Sequence, residues 1–187
     1  MPNKIARKSS LGFTLIELLI VIAVLGILAV AVLAAINPIE QINRSRDTGS
    51  RSDAEQLIGG IDRFYATNGY YPWQTGATDT TQPNWVKVTA GWADGGGTGV
   101  LAKLSQSGTE ELKTSFTNRI VATTYNALYI YNSGVAGSST YVCFLAKSGA
   151  FQTESGTRCG ASLPSDFPGA ACPSGCSGTK SCYSCLP

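Results

Sequence analysis

The sequence predicts an α+β protein in which a long N-terminal helix leads into a β-rich domain. Three observations carry this. An apolar run fills residues 13–36, helical periodicity returns at residues 54–65, and short strand candidates between Gly, Ser and Thr follow residue 69. The chain has 187 residues, enough for one modest domain with attachments. Charged residues make up 14% and hydrophobic residues 43%, which argues against a disordered chain.

The apolar run, FTLIELLIVIAVLGILAVAVLAAI, holds a single charge, Glu17. As a helix its 24 residues span roughly 36 Å, enough for a bilayer core of about 30 Å. Lys4, Arg7 and Lys8 precede it without an acidic neighbour, so the start should stay cytoplasmic and the bulk of the chain should face outward. A secretory signal peptide would have a shorter core and a small-residue cut site behind it. Ala34-Ala35-Ile36-Asn37-Pro38 fits such a site poorly. A plain membrane anchor is the other ordinary reading. It leaves Glu17 without a purpose, because a carboxylate in hydrocarbon is costly and usually has a partner.

Pro38 removes a helical hydrogen bond and predicts a kink or short unwinding near Ile36. Residues 39–53 are mostly polar, and Gly49, Ser45, Ser50 and Ser52 weaken helix propensity. Ala54, Leu57, Ile58, Ile61, Phe64 and Tyr65 then form an apolar stripe that should pack against a sheet. Gly59-Gly60 interrupts it, and Asn68-Gly69 is a helix stop. Beyond it, residues 85–89, 127–132, 141–146 and 150–153 are strand candidates. Residues 141–146 are apolar on both faces, as a central strand would be. Lys147-Ser148-Gly149 reads as a hairpin turn into 150–153. Glu110-Glu111-Leu112-Lys113 could start a short helix, with Thr109 as its cap.

Chemistry is sparsely represented. There is no histidine, which removes the usual general base and imidazole ligand. No catalytic residue and no cofactor are assigned. Asp94-Gly95-Gly96-Gly97 lacks the Lys-Ser/Thr of a phosphate loop and the spaced acids of a calcium loop, and reads as a flexible surface loop. Eleven basic and eleven acidic residues follow Asn37, so nucleic-acid binding is unsupported. Asn43-Arg44-Ser45 is a glycosylation sequon close to the apolar run. The six cysteines, Cys143, Cys159, Cys172, Cys176, Cys182 and Cys185, all lie far from the apolar segment. They read as disulfides in an oxidising compartment, with zinc thiolates as the alternative and no metal assigned. Cys143 and Cys159 flank the expected hairpin as plausible partners, and the other four allow three pairings.

The stretch Lys8-Ser9-Ser10-Leu11-Gly12-Phe13-Thr14-Leu15-Ile16-Glu17 resembles the processing site of type IV prepilins and pseudopilins. The resemblance covers residues 5 to about 72, and the motif is specific when it opens a long apolar helix near the chain start. It implies cleavage of leader 1–12 by a prepilin peptidase between Gly12 and Phe13, and N-methylation of Phe13. It implies that Glu17 pairs with the Phe13 amine of a neighbouring subunit during assembly. It divides the remainder into a transmembrane and assembly helix, 13–36, its amphipathic second half, 37–68, and an extracytoplasmic β-rich domain, 69–187. The implied architecture lays an antiparallel sheet on the second half of the helix. The expected partners are identical or related subunits in a helical filament, and the membrane before assembly. The expected location is the inner or cytoplasmic membrane as a single-pass precursor, then an extracellular or periplasmic filament. The small residues Gly26, Ala29, Ala31, Ala34 and Ala35 would let helices approach closely. Some relatives bind calcium in the outer domain, but the sequence offers no convincing ligand set. The leading function is a structural pilus or pseudopilus subunit. A minor, tip-located pilin with an adhesive or partner-binding role, and a membrane-anchored extracellular enzyme, are the alternatives.

Overall fold

The computed structural model describes residues 12–35, 37–108, 110–122, 126–174, 176 and 182–187. The chain divides into two compact units, Met1–Pro38 and Ile39–Pro187. In the first, α1 runs from Leu15 to Ala35 and buries none of its residues. Its 21 residues contain an 18-residue stretch of mean hydropathy 3.2, and the helix is long and apolar enough to cross a membrane. Ile36, where the sequence predicts a kink, lies outside the described residues, as do Lys4, Arg7 and Lys8.

Helix α2 spans Pro38–Asn68 and belongs to the second unit from Ile39 onward. Proline stands at its first helical position, where its missing N–H would have no intrahelical acceptor. The helix ends as its sequence indicates. Gly69 adopts φ +75°, and its N–H closes onto the Tyr65 carbonyl at 2.8 Å. Four antiparallel strands follow in the order β1 (Val86–Lys87), β2 (Leu128–Asn132), β3 (Thr140–Leu145) and β4 (Tyr183–Leu186). Short helices α3 (Val100–Leu104) and α4 (Thr114–Ile120) lie between β1 and β2.

Strand alternation assigns the two faces. Leu128 and Ile130 of β2 and Val142 and Phe144 of β3 meet Ala54, Leu57, Ile61 and Phe64 of α2 in the main core. The opposite face carries Tyr129, Tyr131, Tyr141, Cys143 and Cys185, covered in part by Phe167 and Ala171. Thus β3 lies between β2 and β4 and is buried on both faces, as its apolar run predicts.

Several expected elements differ. Residues 149–153 do not form a hairpin strand but open helix α5, Gly149–Cys159. Ser148 is its N-cap and accepts from the Phe151 N–H. The partner expected from that hairpin is replaced by β4, from the cysteine tail. The strand at 85–89 shrinks to two residues. The helix expected at 110–113 begins instead at Thr114, with Lys113 at its N-cap and no side-chain cap bond. Thr109 lies outside the described residues. Glu111 there receives Arg63 of α2, which donates to both its carboxylate and its carbonyl.

Candidate assembly and processing site

Gly12, Phe13 and Thr14 lie just ahead of α1, outside any regular element. Phe13 is 90% exposed, and no described residue lies within 4 Å of where a Gly12 Cβ would stand. The junction therefore offers an open peptide bond beside a residue without a side chain.

Thr14 and Glu17 build a capping box at the start of α1. The Glu17 N–H donates to Thr14 Oγ1 at 3.3 Å. In return Glu17 Oε2 accepts from the Thr14 N–H at 2.9 Å and from Thr14 Oγ1 at 2.7 Å. Two amides of the helix start are thereby satisfied reciprocally. Thr14 is the residue that the sequence reading passed over, although Thr-x-x-Glu ahead of an apolar run is a recognisable signature. Glu17 thus has a local purpose: it orders the helix start and is itself held in one orientation. Both bonds fall on Oε2.

Behind this entry, α1 presents a wholly exposed apolar surface. Nothing crowds the position of a Gly26 Cβ. Bare backbone at such a point permits close helix contact.

Residues 7–33 match the family model described as the prokaryotic N-terminal methylation motif. The match supports a prepilin of the type IV pilin or pseudopilin type, a class that is generally structural rather than enzymatic. Neither a curated protein nor a solved structure matches the chain.

The cysteines form three disulfides, Cys143–Cys185, Cys159–Cys172 and Cys176–Cys182. The expected Cys143–Cys159 pair does not form. Cys159 is carried to the far end of α5, while Cys143 lies directly opposite Cys185 in the β3–β4 register. The sulfurs of Cys159, Cys172 and Cys176 lie within 4.8 Å of one another, but each is already bonded to another sulfur and offers no thiolate.

Other suspected sites prove to be structural. One Asp94 oxygen accepts from the N–H groups of Gly96 and Thr98 at 2.9 and 2.8 Å, and the other meets the Lys103 ammonium. The Lys103 bond, chiefly, holds the Asp94 carboxyl below its ordinary range. The glycine-rich segment is therefore a tethered loop whose carboxylate is already committed. A groove of about 570 Å³ lies between α2 and the α4 region, walled by Glu55, Arg63, Lys113, Phe116 and Arg119 among others. Two of its cations are committed, Arg63 to Glu111 at 2.9 Å and Arg119 to Asp53 at 2.6 Å.

Proposed function

We propose that this chain is a structural subunit of a type IV pilus or pseudopilus. A prepilin peptidase cuts it between Gly12 and Phe13, Phe13 is methylated, and the mature chain assembles through α1 with identical or related subunits. The four segments with boundaries after residues 12, 36 and 68 are leader, membrane and assembly helix, amphipathic helix and outer domain. The precursor crosses the cytoplasmic membrane once, and the assembled filament lies outside it.

One observation carries this reading: an exposed Gly-Phe junction opens directly onto an unburied apolar helix with one carboxylate in its first turn. A signal peptide would be cut behind its apolar run rather than ahead of it. A plain anchor would draw only the capping box with Thr14 from that carboxylate, at the cost of a charge beside hydrocarbon. A filament subunit uses all three parts. Cleavage creates a cationic amine, the apolar surface meets neighbouring helices, and Glu17 offers that amine's counterpart. A buried charge is tolerated when paired, so the Phe13 amine of one subunit and Glu17 of the next fix the depth at which a subunit enters.

Mass spectrometry of the native protein tests the processing step. The expected N-terminus is Phe13, carrying one methyl group. A mature chain that starts at Met1 or Pro2, or near Asn37, overturns the reading. Replacing Gly12 with leucine is expected to leave full-length precursor in the membrane and no fibre.

A further inference from the structure

The inward stripe of α2 changes character along its length. Glu40, Asn43, Asp47, Ser50, Ala54, Leu57, Ile61 and Phe64 recur at spacings of three and four. From Ala54 onward the stripe enters the apolar core. Before Ala54 its buried residues are all polar: Asp47, Ser50 and Asp53.

These polar residues are held by hydrogen bonds to distant parts of the outer domain. Asp47, fully buried, accepts the Lys147 N–H at 3.0 Å, the Ser148 N–H at 2.7 Å and Ser148 Oγ at 2.7 Å. Glu40, two helical turns earlier, accepts the Gly149 N–H at 2.8 Å. Two carboxylates of α2 therefore satisfy the amides at and just before the start of α5, at the positive end of that helix's dipole. Ser50 Oγ accepts from Asn126 Nδ2 at 3.0 Å. Asp53 meets Arg119 through one oxygen, while its other buried oxygen has no hydrogen-bond partner among the described residues.

We propose that residues 40–53 of α2 and the start of α5 form a polar latch that opens and closes as one unit. Residues 54–68 remain docked on the sheet when it opens. A segment that buries no large apolar side chain lacks the contribution that holds the rest of the helix. Its own sequence, with Ser45, Thr48, Gly49, Ser50 and Ser52, supports helix weakly once the contacts are gone. The two sides must open together, because Asp47 leaves the α5 amides unsatisfied when it departs. Tension on the chain ahead of residue 40 reaches this latch before it reaches the apolar core.

Hydrogen exchange with peptide-level mass readout, on the full chain in detergent micelles, tests the proposal. Residues 40–53 and 147–152 are expected to exchange together, faster than residues 54–68 and the strands β2 and β3. Asp47→Asn and Ser148→Ala are each expected to accelerate both segments by roughly tenfold or more, with the sheet unchanged. Leu57→Ala should accelerate residues 54–68 and the sheet, which shows that the readout separates the two regions. Equal protection across α2 in the wild type overturns the proposal. So does an Asp47→Asn effect confined to one segment or spread uniformly over the domain. If Asp47→Asn fails to fold, the Ser148→Ala result decides alone by the same criteria.

Discussion

At the scale of single residues, Glu17 separates assembly from anchoring. In a plain anchor Glu17→Ala would remove a costly charge together with its capping bonds to Thr14, and would leave no partner unpaired. A subunit whose neighbour depends on that carboxylate would lose the pairing, a loss of about 3–5 kcal/mol when the remaining charge stays buried. Fibre yield after shearing is therefore expected to fall to little or nothing, while membrane level and cleavage at Gly12 stay normal. Wild-type fibre yield with Glu17→Ala as sole subunit would rule out the pairing. Glu17→Asp should fall between, because it keeps the charge and shortens its reach. A second contrast concerns the neighbouring glycines of α2. A Cβ on Gly59 would meet only the end of the exposed Arg63 side chain, at 3.3 Å. Gly59→Ala should raise the melting temperature, as helix propensity gains about 0.5–1 kcal/mol. A Cβ on Gly60 would stand 2.6 Å from Leu112 Cγ in the core. Gly60→Ala should lower the melting temperature, because overpacking costs about 1–3 kcal/mol and outweighs the propensity gain. The sequence makes both glycines look like the same helix defect. What separates them is Leu112, a residue whose position local spacing cannot reveal.

At the scale of elements, legibility followed the range of the forces involved. The apolar run, the helix stop at Asn68-Gly69 and the doubly buried β3 are set by local composition, and all were readable. Helix α5 was not, because its start is secured by Glu40 and Asp47, roughly a hundred residues away. Locally, Phe151 and Thr153 look at least as suited to a strand. Strand β4 was hidden for a related reason. The four residues Tyr183–Leu186 contain a serine and a cysteine and show little apolar alternation. Their place beside β3 is fixed by a cross-strand bond between Cys143 and Cys185, which closes a sequence separation of 42 residues. Replacing both cysteines with serine is expected to destabilise the outer domain by about 2–4 kcal/mol, from the lost constraint on the unfolded chain. Denaturant unfolding of the double variant against wild type measures it. Peptide mapping without reductant should recover the same pair, and a Cys143–Cys159 peptide in its place would refute this arrangement. The residues proposed for processing and assembly could be nominated from the sequence for the opposite reason. Gly12, Phe13 and Glu17 lie within a few residues of one another, in a short pattern placed against a long apolar run.

At the scale of the whole molecule, polarity is sharply partitioned. One unit carries an apolar helix with nothing buried, and the other balances its charges around a mixed core. Such a chain cannot remain in water with α1 exposed, so the surroundings of α1 are expected to govern its oligomeric state. Extracting the protein into detergent should give particles whose size changes with micelle type, as light scattering can follow. Leu57→Ala is expected to cost the outer domain about 2–5 kcal/mol by opening its core. It should leave α1 inserted in the membrane, which carbonate extraction would verify. The edges of the sheet carry a last consequence. One edge strand, β1, has only two residues, and at the other edge Arg158 of α5 donates to the Cys185 carbonyl. Neither edge offers a long row of open backbone groups to another copy. Crowded copies of this domain therefore have little backbone by which to knit into amyloid-like ribbons.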